Sequence, residues 1–221
     1  MEDKKKLDID DLVVDNDQQI VAGDNLLHGL VYSESSLYDK LKKENLELLD
    51  PFLDRNILHD PIYDHIHDKF QGITERSLHD FILTLAGDEL SHPKVAGEEY
   101  QRLLFRGLYT SSLLETLAEK NELISKKTSF QINGEGKSFP YLFYGLRKFD
   151  ELIVENFEGF KICGEISKDQ DSLLAVIGCK GDFIGSNSKE RSRKLYFVGC
   201  EGSEIAAETA PGSYKAQELT E

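Results

Sequence analysis

Basic residues are scarce in this chain: its 221 residues carry 26 Lys and Arg against 41 Asp and Glu, a formal net charge of −15. Binding to a polyanion depends on clustered cations that displace counterions, so this balance argues against nucleic acid as a partner. Long apolar runs are also missing. No stretch reaches the roughly 18 to 20 residues that a membrane-spanning helix needs, and Met1-Glu2-Asp3-Lys4 is not followed by the apolar core of a secretory signal. Three cysteines are too few for a disulfide framework in a chain of this size and fit a reducing compartment. Together these absences lead us to expect a cytoplasmic protein with neither a nucleic-acid nor a membrane partner.

What is present divides unequally along the chain. All six histidines fall in the first 125 residues and all three cysteines in the remainder, which is rich in glycine and β-branched residues. An α+β protein is expected, with a helical front and a β-rich back. Residues 1–11 read as a flexible terminus, 12–125 as a mainly helical domain, 126–208 as a β-rich repeat domain, and 209–221 as a disordered tail. Residues 12–14 and 19–23 suggest strands before a glycine turn. Helical spacing begins at Ser36, and Asp50-Pro51 and Asp60-Pro61 each read as a cap followed by a proline at the first helical position. Leu78, Phe81, Ile82 and Leu85 form the stripe of a helix ending near Gly87. Tyr100, Leu104, Leu108, Ser111, Leu114 and Ala118 mark the longest helix, over 98–119. A strand at 130–136 precedes an apolar segment at 140–149, expected as a short buried helix joining the halves.

The back half repeats itself. An apolar run followed by glycine recurs at 152–159, 174–181 and 195–202, the last two copies containing Gly178-Cys179-Lys180-Gly181 and Gly199-Cys200-Glu201-Gly202. The alignment continues to Ile162, Ile184 and Ile205. Stacked coils would place Leu152, Leu174 and Leu195 in one inward ladder. The run Val-Ile-Gly-Cys-Lys-Gly-Asp-Phe-Ile-Gly at 176–185, with its copy at 197–206, resembles the glycine-repeat right-handed β-solenoid found at the end of the glutamate synthase large chain and in one component of formylmethanofuran dehydrogenase. The resemblance rests on Gly178, Gly181, Gly185, Gly199 and Gly202. It implies coil geometry and a structural role, and it transfers no catalytic residue. The chain departs from that pattern in having few coils, in Cys163 and Ala206 where the terminal glycine would stand, and in its helical front. A small antiparallel β sandwich is the alternative architecture.

Candidate chemistry is sparse. Asp64, His65 and Asp68 lie together on the polar side of the helix after Pro61, where an i, i+4 carboxylate pair beside an imidazole suits a divalent cation. The dipeptides His59-Asp60, His67-Asp68 and His79-Asp80 resemble no zinc-type spacing. Cys179 and Cys200 share a repeat position, a potential redox pair or soft-metal site. Lys189, Arg191 and Arg193 form a basic loop around Ser188 and Ser192, a candidate contact for phosphate or an acidic ligand. Residues 175–177 and 196–198 are apolar on both strand faces, whereas a solvated sheet would alternate. The function expected from these features is a non-enzymatic protein-protein interaction or assembly module, with a protein partner or self-association, using Tyr141, Tyr144, Tyr196 and Phe197 and no cofactor. The alternative is a hydrolase using one divalent metal ion at Asp64, His65 and Asp68.

Overall fold

The computed structural model describes residues 24–44, 55–87, 97–166, 172–188, 194–207 and 214–217. The expected flexible terminus and strands at 1–23, the cap at Asp50-Pro51 and the basic loop at Lys189, Arg191 and Arg193 lie outside them. The architecture is α+β. Among the described residues four helices come first, α1 (Asp24–Glu44), α2 (Arg55–Lys69), α3 (Glu75–Leu85) and α4 (Glu98–Leu123), followed by five strands.

α1 begins well before Ser36, which extends its buried stripe to Leu30, Glu34, Tyr38 and Leu41. α2 also differs from expectation, because Pro61 sits inside the helix rather than at its start. An interior proline removes a backbone donor and normally costs about 3 kcal/mol. Burial of Leu58, Ile62 and Ile66 on either side of it, where α2 packs against α4, outweighs that local preference. α3 is held at its start by a reciprocal cap between Thr74 and Ser77. α4 is the central element and is buried around most of its circumference between 107 and 118. Its hydroxyl-rich segment tolerates burial by bonding its own backbone: Ser112 Oγ donates to Leu108 O at 3.0 Å and Thr116 Oγ1 to Ser112 O at 2.9 Å.

The back half is one sheet of parallel strands in sequence order, β1 (Ser129–Asn133), β2 (Glu151–Glu155), β3 (Leu173–Ile177), β4 (Lys194–Val198) and β5 (Tyr214–Gln217). The parallel pairing excludes the antiparallel alternative for these strands. Phe130, Leu152, Leu174 and Leu195 stand in one register row, and Ile132, Val154, Val176 and Phe197 in another. All eight are buried. β5 corrects the expectation that 209–221 forms no structure: its backbone adds to the β4 edge, and hydrogen bonding of that kind leaves no mark in apolar content.

A second line of parallel bridges joins Ser138, Glu158, Lys180 and Glu201 beyond the first corner. Further on, each unit makes a turn in which alternate residues are left-handed. Tyr141, Lys161, Phe183 and Glu204 form one such set and Phe143, Cys163, Gly185 and Ala206 the next, with φ between 52° and 65°. Bonds between units hold these turns: Tyr141 N donates to Phe160 O at 2.7 Å, Cys163 N to Leu142 O at 2.8 Å and Ala206 N to Ile184 O at 2.7 Å. Residues 140–149 are therefore a turn of the same kind and contain no helix, since alternating positive φ is incompatible with one. The spacing of units also forbids side chains at one corner. A Cβ on Gly181 would lie 2.0 Å from Gly159 O, and one on Gly202 would lie 1.9 Å from Gly181 O.

The halves meet where α4 crosses that first turn. A Cβ at Gly107 would sit 2.2 Å from Tyr141 O, so glycine is what permits this approach. Ser111 Oγ donates to Tyr144 O at 2.8 Å and Arg147 N donates to Glu115 Oε1 at 2.6 Å. Gly87, just past α3, exchanges two backbone bonds with Ser138.

Candidate functional site

Strand alternation leaves three register rows on the outer face of the sheet: Glu151, Leu173 and Lys194; Ile153, Ala175 and Tyr196; Glu155, Ile177 and Val198. Their centre is apolar. Leu173, Ala175 and Ile177 run along β3, the middle strand, with Ile153 on one side and Tyr196 and Val198 on the other. All are partly buried or, for Ala175, at the edge of full burial. Toward β1 the face turns polar. Ser129 Oγ donates to Glu151 Oε2 at 2.9 Å and Gln131 Nε2 to Glu155 Oε2 at 3.0 Å, so both carboxylates are drawn away from β3. Lys194 is exposed and has no ion-pair partner among the described residues.

Of the four residues expected to meet a partner, the structure leaves only Tyr196 on this face. Tyr141 and Tyr144 are buried at the junction, where Tyr141 packs edge-on against Tyr100, Tyr144 and Phe160 with ring centroids 5.4 to 5.5 Å apart. Phe197 points inward into the space left by Gly185, whose Cβ would fall 2.2 Å from its ring. These three serve the chain's own core.

The acidic cluster on α2 does not converge on one point. Asp64 and Asp68 are exposed, while His65 turns to α1, its Nε2 3.0 Å from Ser33 Oγ. Burial, with help from Lys69 and Lys40, holds the His65 imidazole below its usual pKa. Among the described residues, no group of three or more His, Cys, Asp or Glu is placed to hold a metal ion.

Cys163 and Cys179 are buried and Cys200 partly so, all three free. Burial pushes the Cys179 thiol up to about 12 and raises Cys163 and Cys200 as well. At neutral pH the three are thiols with little thiolate to attack or coordinate. Cys179 and Cys200 do occupy one repeat position, and each lies under a backbone carbonyl of the preceding unit, Val154 O and Val176 O.

Two buried charged groups had no place among the candidates read from the sequence. Glu34, 0 % exposed, meets Arg106 Nε at 3.2 Å and Arg102 Nη2 at 3.5 Å. Its signal was available: an acid spaced four residues from both Leu30 and Tyr38 interrupts an apolar stripe. Glu115 binds His59 Nε2 at 3.2 Å as well as the Arg147 amide, while Arg147 Nη1 donates to Asp60 Oδ1 at 2.5 Å. His59 and Glu115 thus bracket the junction. A cavity of about 270 Å³ opens nearby, lined by Glu122, Lys126, Lys127, Lys148 and Asp150 among others. Two of its lysines are committed, Lys126 to Glu75 at 2.9 Å and Lys148 to Glu122 at 2.6 Å.

Among the described residues no helix is long and apolar enough to cross a membrane. Comparison with known protein families, characterised proteins and solved structures finds no match to this chain.

Proposed function

We propose that this protein is a non-enzymatic assembly module, in which a helical front braces a short β-solenoid and the outer sheet face of that solenoid docks protein. The observation that carries the reading is the outward apolar patch of Ile153, Leu173, Ala175, Ile177, Tyr196 and Val198 on a regular parallel sheet. Parallel sheets are ordinarily covered on both faces, because two apolar faces left in water lose the burial that stabilises them. The helices of the front pack on one another and meet the back at its first turn, with Ser111, Glu115 and Gly107 as the contact points. A role in the cytoplasm fits the three free thiols.

Native mass spectrometry of protein purified without chelator tests the reading. A metal-free chain whose protein association disappears on Ala175→Arg supports it, since arginine at the patch centre disrupts packing without touching the inward rows. Retention of one divalent ion, with hydrolytic turnover lost on Asp64→Ala, overturns it.

A further inference from the structure

The rows of the outer sheet face are self-complementary, and we infer that the occupant of this face is a second copy of the same chain, stacked about a two-fold axis parallel to β3. The inference rests on the assembly reading above and names its partner. β3 is the central strand of the five. Rotation by half a turn about an axis along it keeps strand direction and exchanges left with right, so β2 of one copy lies over β4 of the other and β3 lies over β3. This is the isologous arrangement of a closed dimer.

Register decides what meets what. Glu151, Leu173 and Lys194 share one row, so Glu151 of each copy falls over Lys194 of its mate, twice by symmetry, and its carboxylate, which accepts from Ser129 Oγ on the β1 side, meets that lysine at the rim of the stack. Leu173 meets Leu173. In the next row Ile153 faces Tyr196, and Ala175 faces Ala175 on the axis itself, where a small side chain lets two sheets settle at the usual separation of about 10 Å. In the third row Ile177 meets Ile177. Glu155 comes near Val198 but is directed toward β1 by its bond from Gln131. The opposed charges sit at one end of the patch and the apolar pairs along its middle, the pattern of a dry core with a polar rim.

Charge also selects this copy-to-copy pairing over a shifted one. In a chain of net charge −15, two surfaces brought together at random present carboxylate to carboxylate. The half-turn about β3 instead offers each Glu151 a lysine that no described residue engages. The opposite orientation, with strands antiparallel, would take Glu151 and Lys194 away from one another to the ends of the stack. The central strands are five residues long, about 17 Å, so the footprint is smaller than the roughly 800 Å² per partner of a standard interface and the expected affinity is micromolar.

The test is sedimentation velocity of the full chain up to about 200 μM, well above a micromolar dissociation constant. The wild-type chain should show a monomer–dimer equilibrium. Lys194→Glu alone, and Glu151→Lys alone, each turn two attractions into two repulsions and should weaken the dimer at least about tenfold. The double reversal, Glu151→Lys with Lys194→Glu, has the wild-type composition and should restore it. Both positions lie outside the core, and a matching urea midpoint for each variant establishes that folding is intact. A monomer at every concentration, a dimer indifferent to the single reversals, or a double reversal that fails to rescue would each overturn the inference. A chain monomeric alone that loses a complex with a different protein on Ala175→Arg sinks the second copy and leaves the module standing, whereas bound metal with turnover removes the module itself.

Discussion

The helical front and the β back bury their residues under different rules. In the front, a residue is interior because of the helix face it occupies, and the packed helices are irregular enough to admit charge: Glu34 with Arg102 and Arg106, and His59 with Glu115. In the back, a residue is interior because of its row, and every row repeats at each unit. A charge there would be placed beneath the next unit's side chain with no partner, so the inward positions are apolar apart from a few small hydroxyls such as Ser172, Ser186 and Ser188, and among the described residues no Asp, Glu, Lys or Arg of the back is buried. The front specifies individual pairs, whereas the back specifies a spacing. Only a spacing produces a regular outer face, and the proposed docking surface is of that kind.

The harshest way to break this contrast is to disturb the spacing. Gly181→Val introduces a Cβ 2.0 Å from Gly159 O at a φ of 138°, and we expect a loss of about 3 kcal/mol or more in urea denaturation, with the slope lowered if the later units detach. A valine at the exposed Gly136 (φ 84°), where no neighbour lies within 4 Å of the added Cβ, should do less harm, since it carries backbone strain alone. Equal losses would show that the stack does not set the constraint.

Next is the front's buried charge. Glu34→Ala leaves two guanidinium groups without their carboxylate and should lower stability by about 2 kcal/mol. That is below the fully buried case because Arg102 and Arg106 are still 35 % and 25 % exposed and retain solvent. A loss under half of this would mean water replaces the carboxylate at no cost. Glu115→Ala tests the join between the regions. It removes the acceptor of both His59 and the Arg147 amide, at about 1 to 2 kcal/mol, and should speed hydrogen exchange at Arg147 while leaving the amides of β3 and β4 unchanged. Faster exchange throughout the sheet would show that the front supports the whole stack and not only its first turn.

The smallest effect concerns pH. Because His65 has a folded pKa below its ordinary 6.5, the folded state binds fewer protons than the unfolded state just below that pH. Its contribution is present above pH 6.5 and is lost as pH falls through the folded value. His65→Gln should flatten the fall in stability just below pH 6.5 while Asp64→Asn leaves it in place; an unchanged slope in His65→Gln would assign the acid sensitivity elsewhere.

Much of the back was legible from its letters. A strictly parallel stack repeats its environment, so Leu152, Leu174 and Leu195, and Ile162, Ile184 and Ile205, recur at nearly constant spacing. The first unit is harder to see because its corner holds two extra residues. Partners there are offset by 22 positions at Asn133 and Glu155 but by 20 at Ser138 and Glu158. Without that alignment, residues 140–149 read as a helix on apolar content alone. Pro61 misled for a similar reason, since a local start signal was overruled by packing of α2 on α4. The candidate site was half legible: apolar residues on both strand faces pointed to a covered sheet, but Tyr141, Tyr144 and Phe197 could be assigned to the core only once the turn and the row were known.

The sequence alone determined the α+β class, the repeat and its inward ladder, because period and composition are local properties that survive without coordinates. Tertiary structure alone decided which tyrosines face outward, which acid sits between two arginines, and that Glu151, Leu173 and Lys194 share a row. Those facts depend on distances between residues far apart in the chain, and only the closing of each unit onto the last brings such residues to one place.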